Sequence, residues 1–291
     1  MESSTNWAKV ILPAMDNFLA IPIVKLTPYL INHKTQAQDF HETVYLKSIR
    51  ISNAENIKSL PRGLDKLSHL QEIEVNGCPS LVSFEESGLP TTNLKVLSIQ
   101  YCENFRALPK CINNFTSLAE LKVVYCSDDV SFPEEGFPTN LTLLEISNAP
   151  KIYTSLVEWG FNRLTSLQQL DISGEGCSNV VSFPEEWIGM TLPPPLTSIR
   201  IRNFNNLEFM CSKGFQHLTS LQELAFINCP KLTSLPEKDM LLSLERLCIW
   251  GCPLLEEGVL VKEAHLRVAK FHGAGGHLTR TIPTYGHDTG W

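Results

Sequence analysis

The residues best suited to chemistry in this sequence are its nine cysteines and eight histidines, because thiolates and imidazoles act as nucleophiles, bases and metal ligands. Paired glutamates, which can act as acid and base, also recur in Ser83-Phe84-Glu-Glu, Ser131-Phe132-Pro133-Glu-Glu and Ser182-Phe183-Pro184-Glu-Glu. The sequence contains no phosphate-binding glycine loop, no Gly-x-Ser-x-Gly nucleophile motif and no His-Glu-x-x-His zinc motif. We therefore expect no catalysis, no metal and no cofactor.

Most of these residues belong to a repeat. Apolar residues recur at positions 1, 4, 6, 9, 12 and 15 counted from Leu221, and the spacing between copies is 23 to 29 residues. The nine copies start at Leu46, Leu70, Leu94, Leu118, Leu141, Leu167, Leu196, Leu221 and Leu244. This period is typical of leucine-rich repeats. We predict an α/β repeat solenoid, a leucine-rich-repeat horseshoe with a parallel concave β-sheet and an irregular or 3₁₀ convex side.

The cysteines have a structural explanation within this repeat. Six of them occupy the ninth position, one after a two-residue insertion: Cys78, Cys102, Cys126, Cys177, Cys229 and Cys252. Ala54 and Ala149 fill the same position elsewhere, which indicates that the position requires a small side chain. We therefore predict buried thiols. The glutamate pairs recur on outer loops, where we predict a solvated acidic rim with the phenylalanines in the core.

We divide the chain into three parts. Residues 1–43 show no repeat and form an N-terminal cap or remnant, in which prolines between Ile11 and Ile31 predict irregular packing. Residues 44–257 form the leucine-rich-repeat domain, with loop insertions predicted at Ser173-Gly-Glu-Gly176 and Pro193-Pro-Pro195. Residues 258–291 form a C-terminal cap and flexible tail, with an amphipathic helix predicted over Val259 to Phe271. The tail histidines, His272, His277 and His287, match no metal-site spacing.

Composition narrows the function. With 43% apolar residues the chain can bury a continuous core, and its net charge of −7 argues against a nucleic-acid partner. The sequence predicts no membrane span, and the N-terminus does not have the pattern of a signal peptide. We expect a cytoplasmic protein, with the nucleus as an alternative location.

Outward-pointing strand residues form the candidate protein-binding surface on the concave face. Exposed aromatic side chains beside arginine are typical of protein interfaces. The candidates are Val96, Tyr101, Val124, Tyr125, Leu143, Arg200, Arg202, Ile227, Arg246 and Trp250. Tyr101 and Tyr125 are expected to be neighbours on adjacent strands. The alternative is that a loop or cap covers some of these residues.

The pattern Leu-x-x-Leu-x-Ile-x-x-Cys-Pro-x-Leu-x-x-Leu-Pro resembles the repeats of plant nucleotide-binding leucine-rich-repeat disease-resistance proteins of the coiled-coil class. It fits Leu221 to Pro236, with partial copies at Leu70, Leu94 and Leu244, and Ser-Phe-Pro-Glu-Glu-Gly at 131–136 adds to it. The resemblance implies a protein partner. That partner is a pathogen effector, a host protein that an effector modifies, or the nucleotide-binding domain of a related receptor.

The chain departs from that family in lacking the nucleotide-binding module and the N-terminal signalling domain. We therefore expect a truncated resistance protein that recognises a partner without signalling alone. Two alternatives stay open: a stand-alone scaffold, and an F-box-like substrate adaptor for ubiquitination. The adaptor would need a helical module in residues 1–43, which the prolines there oppose.

Overall fold

The fold is organised around one sheet of eleven strands. The computed structural model describes residues 24–31, 43–60, 64–84, 88–132, 135–185, 189–237, 239, 241–259 and 267–270, and the side chains among them from residue 46 to residue 256. The strands of this sheet are β1 (Val24–Ile31), β2 (Thr43–Ser52), β3 (Glu72–Asn76), β4 (Val96–Gln100), β5 (Glu120–Val124), β6 (Leu143–Ser147), β7 (Gln169–Ser173), β9 (Ser198–Arg202), β11 (Glu223–Ile227), β12 (Arg246–Trp250) and β13 (Arg267–Lys270). A second sheet contains only β8 (Ser182–Phe183) and β10 (Phe209–Met210).

The nine predicted repeat strands are confirmed, and they pair in parallel one repeat apart. Ile73 aligns with Leu97, and Leu97 with Leu121, so equivalent leucine-type residues form continuous rows. In β3 the residues alternate between partly exposed and buried positions, with Ile73 and Val75 fully inside. This alternation is what the two-residue period of a strand dictates. One face of the sheet therefore covers the core and the other faces outward.

Two further strands extend the sheet beyond the repeats. β1 pairs antiparallel with β2, over part of the segment for which we predicted irregular packing. β13 pairs in parallel with β12, within the segment predicted to be a helix. Both predictions were wrong at these residues. An edge strand presents unpaired backbone groups, and a neighbouring segment with no strong helical pattern can satisfy them as an added strand.

The interior ladder of small residues is confirmed. All six ninth-position cysteines are buried free thiols, and Ala54 and Ala149 are buried at the same position. The Cys102 Sγ donates a hydrogen bond to the Gln100 carbonyl oxygen at 3.3 Å. Burial raises the pKa of the Cys126 thiol from 9.0 to about 11 and has the same effect on Cys177. Cys126 and Cys177 therefore pack the core and are poor nucleophiles near neutral pH.

The convex side has the 3₁₀ character that the sequence predicts. Its 3₁₀ helices are Leu64–Lys66, Ile112–Asn114, Phe161–Arg163 and Ser212–Phe215. Parallel bridges join Ser83 to Ala107 and Ala107 to Ser131, so this side is also tied from repeat to repeat. Phe84 and Phe105 pack inside it with ring centroids 5.2 Å apart.

The repeat that begins at Leu141 contains a helix that we did not predict, α1 (Pro150–Trp159). Pro150 stands at its first turn, where a missing N–H costs nothing, and Gly160 ends it with φ of 100°. The helix buries Ile152, Tyr153 and Leu156 against the core. A second helix, α2 (Pro253–Val259), follows the last repeat strand.

One glutamate of the predicted acidic rim lies in the interior. Glu185 is only 8% exposed, and the Tyr153 hydroxyl donates a hydrogen bond to its carboxylate at 2.8 Å. Burial, together with the negative charge of Glu185, raises the pKa of Tyr153. The prediction of a solvated rim was therefore wrong here, because Tyr153 of α1 supplies a polar partner in the interior. Glu135 is exposed as expected, and Glu85, Glu86, Glu134 and Glu186 lie outside the described residues.

Candidate protein-binding face

The concave face consists of the outward side chains of the repeat strands. In each strand these are the first, third and fifth residues, which form three rows across the sheet. The first row includes Val96 and Leu143, both partly exposed.

No helix among the described residues has the length and hydrophobicity that a membrane crossing requires.

The centre of the face is a network of paired charges. Arg202 Nη2 lies 3.1 Å from Glu145 Oε1. Its Nε lies 2.7 Å from Asp171 Oδ1, at an angle that makes this contact an ion pair and not a hydrogen bond. Arg200 Nη1 donates to the other oxygen of Asp171 at 3.0 Å. The predicted binding residues Arg200 and Arg202 are therefore already paired with carboxylates on β7 and β6.

Similar pairs flank this centre. Arg246 pairs with Glu223 on the next strand, and Arg50 lies 2.9 Å from Glu74 and 3.5 Å from Glu72. A depression of about 350 Å³ is lined by the Arg200–Asp171 and Arg246–Glu223 pairs and by Lys122. Ion pairs of this kind fix the positions of long side chains. The charged side chains of the concave face are therefore preorganised before a partner binds.

The rim at the carboxyl ends of the strands carries the two tyrosines. Tyr101 and Tyr125 stack with ring centroids 5.4 Å apart and an interplanar angle of 13°, which confirms that they are neighbours. Both have positive φ, 52° and 48°. Equivalent turns use Asn53, Asn203 or other asparagines and glycines, the residues that best tolerate this left-handed conformation. Tyr101 is 52% exposed.

Glu175 joins the tyrosines to the far half of the rim, and sequence reasoning missed it as a site residue. The Tyr125 hydroxyl donates to Glu175 Oε1 at 3.2 Å, and the Asn203 side-chain amide and the Ser173 hydroxyl donate to the same carboxylate. Asn228 in turn donates to Asn203 Oδ1 at 3.1 Å. The signal in the sequence was the inserted Ser173-Gly-Glu-Gly176, which places a carboxylate where other repeats have none.

The structure corrects one candidate and keeps the others at the surface. Val124 is only 5% exposed, so the prediction that it lies open on the concave face was wrong. It is a short side chain between Gln100 and Ser147 on the adjacent strands, and crowding on a concave surface hides such a residue. Trp250 is 41% exposed and Ile227 is partly exposed.

Missed residues also include Glu145 and Asp171, the carboxylates that hold the arginines. Their outward positions follow from strand alternation, but which cation each one contacts depends on the register of strands far apart in sequence. Across the ranges that the structure describes, no group of three or more His, Cys, Asp or Glu residues could hold a metal ion. His272, His277 and His287 lie outside those ranges.

A parallel sheet built from repeats, with exposed aromatic and charged side chains on its outer face, defines a leucine-rich-repeat solenoid. Members of this class typically serve as protein-interaction modules. The chain belongs to the leucine-rich repeat region family, whose model matches residues 3–248.

A relative from Arabidopsis thaliana, described as a candidate disease resistance protein, At3g14460, is 37% identical over 118 residues. The match covers 40% of this chain and 8% of that protein, so the chain spans a small part of its relative. The solved structure of the LRR protein LIC12759 of Leptospira interrogans shares 16% identity and a TM-score of 0.33, over 77% of this chain and 90% of that one. The chain is thus related to the repeat region of plant disease resistance proteins.

Proposed function

We propose that the concave face binds a protein in plant defence, either a pathogen effector or a host protein that an effector modifies. The observation that carries this proposal is the exposed aromatic rim, Tyr101, Tyr125 and Trp250, on a repeat region related to disease resistance proteins. The nucleotide-binding domain of a related receptor is a third partner of the same kind. The family relationship supports a cytoplasmic or nuclear location.

The paired charges and the exposed aromatic side chains have different roles on this face. Because Arg202, Glu145 and Asp171 already satisfy one another, their role is to hold the surface in shape and to repel mismatched partners. Aromatic side chains with one polar end supply most of the binding free energy at protein interfaces. Trp250 and Tyr101, both well exposed, are the residues that fit that description.

The test compares replacements on the two sides of the solenoid. Trp250→Ala and Tyr101→Ala remove exposed aromatics from the concave face. Phe209→Ala is the matched control, because Phe209 is an aromatic of similar exposure, 45% against 41% for Trp250, in the second sheet. The full chain and its variants are used to capture proteins from healthy and infected leaf tissue, with quantitative mass spectrometry.

A concave-face partner should bind at least about tenfold more weakly to the first two variants and equally well to the control. A partner found only in infected tissue would be an effector, and one found in both would be a host protein. The proposal is wrong if every specific partner is retained by both concave variants, or if Phe209→Ala reduces capture as much as they do.

A further inference from the structure

One stretch of the rim contains a slot beside the ring of Tyr101. Asn53, Gly77, Tyr101 and Tyr125 occupy equivalent positions after four consecutive strands, all with positive φ. Their backbones stay in register, since Asn53 N donates to Asn76 O at 2.8 Å and Gly77 N to Gln100 O at 2.9 Å. Tyr125 covers one face of the Tyr101 ring. On the other side stands Gly77, which has no side chain to cover the second face, and Tyr101 is 52% exposed.

The dimensions of the slot follow from strand spacing. Neighbouring strands lie about 4.8 Å apart, so Asn53 and Tyr101 are separated by roughly 10 Å across Gly77. The three atoms nearest to a Cβ placed on Gly77 all belong to Asn53, and the closest is Oδ1 at 2.5 Å. The slot therefore has an aromatic ring as one wall and a hydrogen-bond acceptor as the other. A flat, electron-poor group that stacks on the ring fits between them, with its other face against the partial negative charge of the Asn53 oxygen.

The charge around the slot favours a cation. Within four residues of Asn53, Gly77 or Tyr101 the chain has three carboxylates, Glu55, Glu74 and Glu103, and one cation. That cation is Arg50, whose guanidinium is already paired with Glu74 and Glu72. The surroundings of the slot are therefore negative, and a partner with a positive side chain is attracted to it.

We propose that this slot, which we call the Tyr101 slot, binds an arginine side chain of the protein partner. The guanidinium is planar, positively charged and stacks on aromatic rings, so it can lie with one face on the Tyr101 ring and the other face against Asn53 Oδ1. The chain makes such a contact elsewhere, with the Arg163 guanidinium carbon 5.3 Å from the centroid of Trp159. The inference rests on the proposed function and specifies the chemistry of the partner.

The test uses small probes and needs no protein partner. Three blocked tripeptides, with arginine, lysine or citrulline between two glycines, are titrated into the full chain labelled with ¹³C on its tyrosine rings, and NMR shifts are recorded. Citrulline has the shape of arginine without its charge, and lysine has the charge without the plane. The arginine peptide should shift the Tyr101 resonances saturably, and bind about threefold or more tightly than either of the others.

Two variants separate binding in the slot from other contacts. Gly77→Asn fills the slot with a side chain that the fold accepts in the same turn, since Asn203 and Asn228 stand side by side with a 3.1 Å hydrogen bond. Gly251→Asn is the matched control, because Gly251 lies beside Asn228 of the preceding repeat, as Gly77 lies beside Asn53, and has a similar φ of 65°. Binding of the arginine peptide should be lost in Gly77→Asn and Tyr101→Ala and kept in Gly251→Asn.

Equal shifts from the arginine and citrulline peptides would overturn the proposal. So would retention of arginine binding in Gly77→Asn, or the absence of a saturable shift with the arginine peptide. These outcomes concern the Tyr101 slot alone, because capture of a protein that depends on Trp250 would still support the proposed function. Conversely, a concave face without any protein partner would leave the peptide result unchanged.

Discussion

Replacing Arg202 with methionine should destabilise the centre of the sheet more than the same replacement at Arg200, although both arginines lie on β9 and share Asp171. Arg202 is only 21% exposed and pairs with two carboxylates, at 3.1 and 2.7 Å. Arg200 is 52% exposed and pairs with one, at 3.0 Å. Methionine keeps most of the length of the arginine stem, so the comparison isolates the guanidinium.

The expected losses of stability follow from how exposed the two arginines are. Two unit charges 4 Å apart near a protein surface attract by about 4 kcal/mol, and desolvation and side-chain entropy offset most of this. Exposed pairs retain about 0 to 1 kcal/mol, whereas removing one partner of a buried pair costs about 3 to 5 kcal/mol. Arg202 lies between these limits, so we expect Arg202→Met to cost about 2 to 3 kcal/mol and Arg200→Met at most about 1 kcal/mol. Much of the larger cost comes from leaving Glu145 unpaired.

The cost of leaving Glu145 unpaired can be measured separately. Adding Glu145→Gln to Arg202→Met removes the uncompensated charge and should restore about 1 kcal/mol. Urea unfolding gives the loss of stability of the whole fold, and amide hydrogen exchange in β7 and β9 gives the loss in these two strands. Both are needed because a solenoid can unfold in part. Equal losses at Arg200 and Arg202, or no recovery with Glu145→Gln, would refute this account of the network.

Three further predictions concern the interior. Tyr153→Phe should lower the free energy of unfolding by about 2 kcal/mol in urea, because buried Glu185 loses the hydrogen bond from the Tyr153 hydroxyl, and a loss under about 0.5 kcal/mol would contradict this. Stability should fall between about pH 9 and pH 11, because the pKa of Cys126 is raised from 9.0 to about 11 and the unfolded chain releases its proton first. In urea unfolding measured at several pH values, the free energy of unfolding of Cys126→Ala should fall by about 2 to 3 kcal/mol less over this pH range than that of the wild-type chain. The same pH profile in both would contradict the prediction. Gly136→Ala should cost about 3 kcal/mol in urea, since φ is +100° and the new Cβ would lie 2.2 Å from Trp159 Nε1; full stability would show that the ring moves freely.

The interior of the repeat could be predicted from the sequence because every copy meets the same neighbours. Ile73, Leu97 and Leu121 each pack between equivalent residues one repeat away, so position in the repeat determines burial. The same reasoning predicted the cysteine ladder, and it predicted that Tyr101 and Tyr125 would touch. Periodicity works where contacts are themselves periodic.

The features that the sequence did not predict depend on contacts that occur only in one repeat or at one end of the array. Glu185 is buried because α1 brings Tyr153 to it, 32 residues away in sequence. Glu175 reaches Tyr125 across 50 residues because an insertion lifts it onto the rim. β1 and β13 extend the sheet where no repeat pattern exists. Sequence spacing does not specify such pairs, since they depend on which elements the assembled solenoid happens to bring together.

The tyrosines of the rim are best understood by comparing what they cost with what they contribute. A residue other than glycine in the left-handed region is strained by about 1 to 3 kcal/mol, and asparagine, found at equivalent turns, tolerates that conformation best. The stack between Tyr101 and Tyr125 returns about 0.5 to 1.5 kcal/mol, and the bond from Tyr125 to Glu175 about as much again. Strain at two positions, about 2 to 6 kcal/mol together, therefore equals or exceeds the about 1 to 3 kcal/mol that both contacts return, so the tyrosines add nothing to folding that asparagine would not. Because the ring of Tyr101 is half exposed, what the substitution of tyrosine for asparagine does add is a rigid aromatic surface in contact with solvent, held in place by a neighbour and ready for a partner.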